Sequence, residues 1–405
     1  VAHGAWAQSE GPANEHNVSV LSRPRPDYEA LGTRVGGFLV FPKVTIGATY
    51  DDNIFADETN QVSDTIFNIT PGVQAVSQWS RHQLSVSAAA HRAQYVDHTS
   101  ESSTDYNIGT DGRLDVDRFT TLSGSARYSR QIEARSAIEA NQNEARPVRY
   151  DQVDWSVGGA HQFNRLRVNL NLDQSIYSYD NNRTLAGAVI NEKYRNATDS
   201  KATLRVDYTV SPDTFLFVQG VYNKQDYDLD PPAVPTSRDS DGYEFTAGAD
   251  FDLSNLLRGR LEAGYLRQEF KSPLYRAFTG VQVRGRVEYY PTQLTTITVL
   301  GSRSVANSGL VQAPSYLSTA AGLQIDHELL RNVILTGRGD YQHAQYSGVD
   351  RTDNRYGASV GGTYLLNRNV GVSLTYYYLD QRSSGIDRGG RFRDNRVLVT
   401  TTLQY

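Results

Sequence analysis

The sequence predicts an all-β fold, a transmembrane antiparallel up-and-down β-barrel, on three observations. Short segments alternate apolar and polar residues, the connections between them alternate between tight turns and long polar loops, and the last residue, Tyr405, is aromatic.

Alternation is the strongest of the three, because successive side chains of a strand point to opposite faces and a barrel separates those faces into lipid and lumen. In residues 167–173, Val168, Leu170 and Leu172 lie on one side and Arg167, Asn169, Asn171 and Asp173 on the other. Residues 201–208 repeat this with Ala202, Leu204, Val206 and Tyr208 facing out, and residues 243–252 oppose Phe245, Ala247, Ala249 and Phe251 to Glu244, Thr246, Gly248, Asp250 and Asp252. From Gln282, the residues Val283, Gly285, Val287 and Tyr289 oppose Gln282, Arg284, Arg286 and Glu288. The final segment places Val397, Val399, Thr401, Leu403 and Tyr405 outward.

Tight turns are expected at 163–165, 211–213 and 366–368, and long loops at 133–149, 179–199, 227–241 and 380–394. This asymmetry predicts short periplasmic turns, long extracellular loops and both termini in the periplasm. Segments from Phe38 to Tyr405 give about 18 strands, an even number as such barrels require. About 16 is the alternative, because residues 214–223 are nearly continuous in apolar residues and 295–303 alternate poorly.

Composition agrees. Of 405 residues 39% are hydrophobic, mean hydropathy is −0.52, and no apolar run approaches the length of a membrane-spanning helix. Tyrosine outnumbers phenylalanine 26 to 13, which suits interfacial girdles. The absence of cysteine excludes disulfides, thiol catalysis and cysteine-based zinc sites, and a net charge of −5 without a basic face argues against nucleic acid. Residues 1–33 read as a signal-peptide remnant, with Ala5-Trp6-Ala7 before Gln8 as its small-x-small end, followed by a flexible periplasmic segment; 34–405 form the barrel.

An unplugged barrel of this size encloses an aqueous channel. Side-chain parity nominates Arg113, Arg127, Arg167, Asp173, Arg205, Asp207, Glu244, Asp250, Arg284, Arg286, Glu288, Arg338 and Asp340 as its lining. Ion-pair networks that brace the interior are one account of these charges; selective binding of charged solutes, such as acidic sugars at Arg284 and Arg286, is the other. Tyr179, Tyr227, Tyr290 and Tyr377 are candidates to stack on sugar rings, whereas Tyr208, Tyr265, Tyr289, Tyr364 and Tyr376 belong to the girdles. No nucleophile motif accompanies His82, His91, His98 or His161, so no catalytic residue, cofactor or metal site is assigned. Asp51-Asp52-Asn53 and Asp228 with Asp230 lack the spacing of a calcium loop.

The segment Tyr50-Asp51-Asp52-Asn53-Ile54-Phe55 resembles the opening motif of the putative β-barrel porin 2 family, whose members often accompany exopolysaccharide or capsule biosynthesis systems in Gram-negative bacteria. In strand number and lumen character the chain also resembles the alginate-export type of barrel. The resemblance implies a passive outer-membrane channel for a secreted polysaccharide, gated by extracellular loops. It would work with a periplasmic export protein among outer-membrane lipid and lipopolysaccharide. A terminal aromatic such as Tyr405 resembles the signal read by the barrel-assembly machinery. The alternatives are a diffusion porin for small hydrophilic solutes and a structural or surface-attachment barrel with a closed lumen.

Overall fold

The computed structural model describes residues 18–140, 144–231, 234–253 and 256–405. The expected signal remnant, residues 1–8, lies outside them. Eighteen long strands follow one another as an antiparallel meander. They are β1 (Phe38–Asp51), β2 (Asp64–Ser77), β3 (Gln83–Tyr95), β4 (Ser103–Asp115), β5 (Thr120–Ile132), β6 (Arg149–Phe163), β7 (Leu166–Tyr179), β8 (Ala197–Ser211) and β9 (Thr214–Tyr227). The second half comprises β10 (Ser240–Leu253), β11 (Leu257–Phe270), β12 (Phe278–Thr292), β13 (Thr295–Asn307), β14 (Ser315–Leu330), β15 (Val333–Tyr346), β16 (Thr352–Leu365), β17 (Val370–Ser384) and β18 (Phe392–Gln404). β1 pairs with β18 from Lys43 opposite Gln404 to Asp51 opposite Arg396, so the sheet closes on itself and leaves no unpaired edge.

The alternation predicted from sequence sets the two faces. Leu170, Leu172, Leu204, Phe245, Val283 and Val399 are exposed on the outer wall, where lipid replaces water. Tyr208, Tyr265, Tyr289, Tyr364 and Tyr376 share that outward face.

Both segments that obscured the strand number form strands. In β9, Phe215, Phe217 and Val221 point inward, so an apolar inner face adjoins an apolar outer one and the period disappears. Phe217 is buried because the neighbouring strand has glycine opposite it: a Cβ on Gly248 would lie 2.5 Å from the ring. The Arg205 guanidinium caps the same ring at 3.7 Å. In β13 the inward residues Thr296 and Thr298 are buried hydroxyls, which blurs the polarity contrast in the same way.

At one end of the barrel the connections are short, with two-residue turns at 164–165, 212–213, 293–294 and 331–332. Register shifts at Thr209/Ser211, Tyr289/Thr292 and Glu328/Leu330 all fall at that end. Residues 18–32, expected to be flexible, make specific contacts there. Val20 is buried and donates its amide to Thr296 Oγ1 at 2.9 Å, Arg23 and Arg25 pair with Glu328 at 3.1 and 2.8 Å, and Arg368 donates to the Pro26 carbonyl at 2.9 Å.

Candidate functional site

Parity brings the charged residues of β7 to β12 onto one inner wall. Arg205 sits between Asp207 and Asp250, at 2.5 Å from each, and Asp250 also holds Arg260 at 2.5 Å. Asn169 donates to Asp207 at 2.7 Å. Nearby, Arg284 pairs with Glu262 at 2.8 Å, Gln282 donates to Glu244 at 2.7 Å, and Arg286 and Tyr290 both reach Glu288, at 2.6 and 2.5 Å. Elsewhere on the inner face Arg338 meets Asp340 at 3.3 Å and Arg113 meets Asp115 at 3.2 Å, both more open to water. Arg127, Arg167 and Asp173 take no ion pair with the described residues.

The other end of the barrel carries the long loops, and the 133–148 loop turns inward. It leaves β5 and returns to β6, yet its residues 136–139 make contacts on β14, β15, β17 and β18 and their adjoining loops, across the barrel. The Ile138 carbonyl accepts from Arg351 at 2.9 Å and from Gln381 at 3.3 Å, and Ser136 accepts from Arg396 at 3.1 Å. The Ile138 side chain packs against Ala313, Tyr316, Ala344 and Tyr346, a small apolar cluster on the far inner wall. Glu139 accepts from Ser308 Oγ at 2.6 Å and from the Gly309 amide at 2.5 Å.

Neighbouring loops lock this crossing in place. At its base, Arg135 and Glu101 form a buried two-pronged pair, both bonds at 2.9 Å. Arg195, from the 180–196 loop, pairs with Glu133 at 2.8 Å, and Tyr194 donates to the Gly309 carbonyl at 2.8 Å. The fully buried Arg238 donates to the Tyr194 carbonyl at 3.2 Å and to the Ser308 carbonyl, and lies 4.3 Å over the Tyr227 ring. Asn182 donates to Glu144 at 2.6 Å and to the Arg146 carbonyl at 2.7 Å. Loops from opposite sides of the mouth thus meet over the lumen.

A family comparison agrees with this architecture. A model of the putative beta-barrel porin 2 family matches residues 25–405. The chain belongs to this family. No curated protein matches it. Among solved structures, the porin is similar to Pseudomonas aeruginosa OccK2 (OpdF) at 10% identity, with 90% of this chain and 98% of that one covered and a TM-score of 0.48. It is similar to Acinetobacter baumannii OccAB3 at 10% identity, 92% and 100% coverage and a TM-score of 0.47. For the Pseudomonas aeruginosa siderophore receptor PirA the values are 10%, 94%, 81% and 0.46. At such identities and TM-scores, nothing is carried over from these structures to this chain.

Within the porin's lumen, ten of the thirteen nominated residues take a direct ion pair or hydrogen bond: Arg113, Arg205, Asp207, Glu244, Asp250, Arg284, Arg286, Glu288, Arg338 and Asp340. Of the tyrosines nominated for sugar stacking, Tyr290 is tied to Glu288, Tyr227 lies beneath Arg238, and Tyr179 lies 4.2 Å from the Arg195 guanidinium. The 133–149 loop is one of the long loops expected to gate the lumen, but none of its residues is among the nominated lining. Their one signal in the sequence is Ala137-Ile138, an apolar pair amid loop charges that solvent exposure alone does not explain.

The buried loop acids should make this crossing sensitive to pH. Burial, reinforced by the charge of Glu192, raises Glu144 to about 7, with the Asn182 hydrogen bond opposing. Burial likewise raises Glu139 despite its bonds to Gly309 and Ser308, and raises Glu192 against the pull of Arg195. Glu133, Arg135, Arg195 and, beside Glu139, Arg351 are the other charges facing this group. An acid whose docked value lies above its free value favours docking when protonated, so this contribution is complete below the ordinary carboxylate range and fades as pH rises toward 7. Proteolysis of the 133–148 loop should therefore be faster at pH 8 than at pH 5, and Glu144→Gln should reduce that difference.

Proposed function

We propose that this outer-membrane porin is a diffusion channel for small hydrophilic solutes, with its long loops facing the cell exterior. The observation that carries this reading is the 133–148 loop, whose Ser136 and Ile138 bond to Arg351 in the loop before β16 and to the inner faces of β17 and β18. Such a crossing narrows the mouth, which obstructs a polymer chain more than it does a solvated small molecule. The geometry therefore favours the small-solute alternative over the polysaccharide export implied by the Tyr50–Phe55 resemblance. Inward charges of both signs supply a polar, hydrated path and, at residues such as Arg127 and Arg167, groups free to meet a charged solute. In this reading residues 18–32 and Tyr405 lie on the periplasmic side, and the Tyr405 ring, which is exposed, would serve as the assembly signal.

Swelling of proteoliposomes in sugars of increasing length tests the reading. Mono- and disaccharides should enter and longer oligomers should not; passage of long polymer, or exclusion of every sugar, would count against it. Because the chain has no cysteine, Ala186→Cys gives a unique label site in the 180–196 loop. A membrane-impermeant maleimide should modify it on intact cells if the loops face outward.

A further inference from the structure

Outward-facing charges at the loop end of the barrel are mostly balanced. Arg130 meets Asp151 and Asp180, Lys224 meets Asp226, and Arg267 meets Glu269. The outer face of β16 to β18 differs. Arg382 donates two bonds to Asp380, at 2.7 and 3.0 Å, and Arg393 approaches the same carboxylate at 4.0 Å. Both guanidiniums remain open, with side-chain exposures of 61% and 67%, while Asp380 is covered beneath them. Arg391 reaches in from the 385–391 loop, with its Nε bonded to the Ser383 carbonyl at 2.7 Å. These residues line a cavity of about 500 Å³ together with Glu58, Asn354 and several uncharged residues, so three guanidiniums face two carboxylates.

Position identifies the partner. Arg382 lies 5.2 Å over the Tyr356 ring, and Tyr356, like Tyr376, faces lipid. Tyrosines of this kind mark the membrane interface, so the guanidinium side of the groove lies at headgroup height on the outer face. Guanidinium forks match phosphate oxygens in geometry as well as charge.

We propose that this groove binds the phosphate groups of an outer-leaflet glycolipid. The inference rests on the outward loop orientation proposed above and is independent of what crosses the lumen. Asp380 orients Arg382, Tyr356 supports its plane, and Arg393 and Arg391 supply the further donors that a phosphorylated sugar requires.

The test uses the purified full-length porin in detergent, titrated with bisphosphorylated lipid A or with the same lipid dephosphorylated, and retained lipid is counted by native mass spectrometry. Tight binding of the phosphorylated form is expected, with a loss of about tenfold or more in the Arg382→Gln/Arg393→Gln variant and none in Arg267→Gln. Heat-modifiable migration on gels confirms that each variant is folded. Equal retention of dephosphorylated lipid, or unchanged binding by the double variant, overturns the proposal. Displacement of the lipid by millimolar inorganic phosphate would overturn the lipid assignment in favour of a free-anion site. If Ala186→Cys stays unlabelled on intact cells while purified porin still binds, the orientation has failed, and the glycolipid assignment with it.

Discussion

Replacing residues 134–147 with a short glycine-serine linker should raise single-channel conductance several-fold while leaving the barrel folded. The replaced segment supplies the Ile138 carbonyl to Arg351 and Gln381, the Ser136 hydroxyl to Arg396 and the Glu139 carboxylate to the 308–314 loop. None of these is a strand-pairing bond. The wall residues keep partners of their own: Arg351 retains Asp353 at 2.7 Å, and Arg396 retains Asp51 at 3.0 Å. The β5–β6 register from Thr120 opposite His161 to Ile132 opposite Arg149 is untouched. Access should widen because the loop bonded to the far inner wall at Ile138 is gone, and the remaining loops lose the Glu133 anchor's neighbours rather than their own strands. Planar-bilayer recording before and after replacement reads this directly. An unchanged conductance would move the constriction down to the ion pairs of β8 to β12 and remove the basis for the small-solute reading.

The barrel was legible because lipid and water demand opposite side chains at every second position, as Val168, Leu170 and Leu172 show against Arg167, Asn169 and Asn171. Legibility failed where the inside is not wet. Phe217 rests in the space left by Gly248, and only the register across two strands reveals that space. Ion pairs divide in the same way. Arg205 with Asp207, Arg286 with Glu288 and Arg338 with Asp340 are two residues apart on one strand and can be read directly. Arg205 with Asp250 and Arg284 with Glu262 depend on pairing between strands. Loop direction has no periodic signature at all, so the contact of Ile138 with Tyr316 and Tyr346 could not be foreseen from its own segment.

Arg205→Ala should destabilise the barrel by about 3 kcal/mol, because removing one member of a buried charge cluster leaves its partners desolvated and uncompensated. Arg205 is 8% exposed and Asp207 7%, so water cannot readily replace the lost guanidinium. Asp207 would retain Asn169, and Asp250 would retain Arg260, but the Phe217 ring would lose its cap. Arg205→Lys should fall between the two, since an ammonium restores the charge but cannot bridge two carboxylates and stack on a ring together. Arg113→Ala provides the contrast. Its pair with Asp115 is half open to water, at 47% exposure on the arginine side, so its loss should cost no more than about 1 kcal/mol. Urea unfolding in detergent, followed by tryptophan fluorescence, measures both. The same two variants separate bracing from selectivity: Arg113→Ala should shift the reversal potential toward cations at nearly unchanged stability, because its charge faces the water-filled path, whereas Arg205→Ala should act chiefly through stability. Equal stability losses would mean that solvent reaches Arg205 as freely as Arg113 and that the inner wall of β8 to β12 is part of the open path.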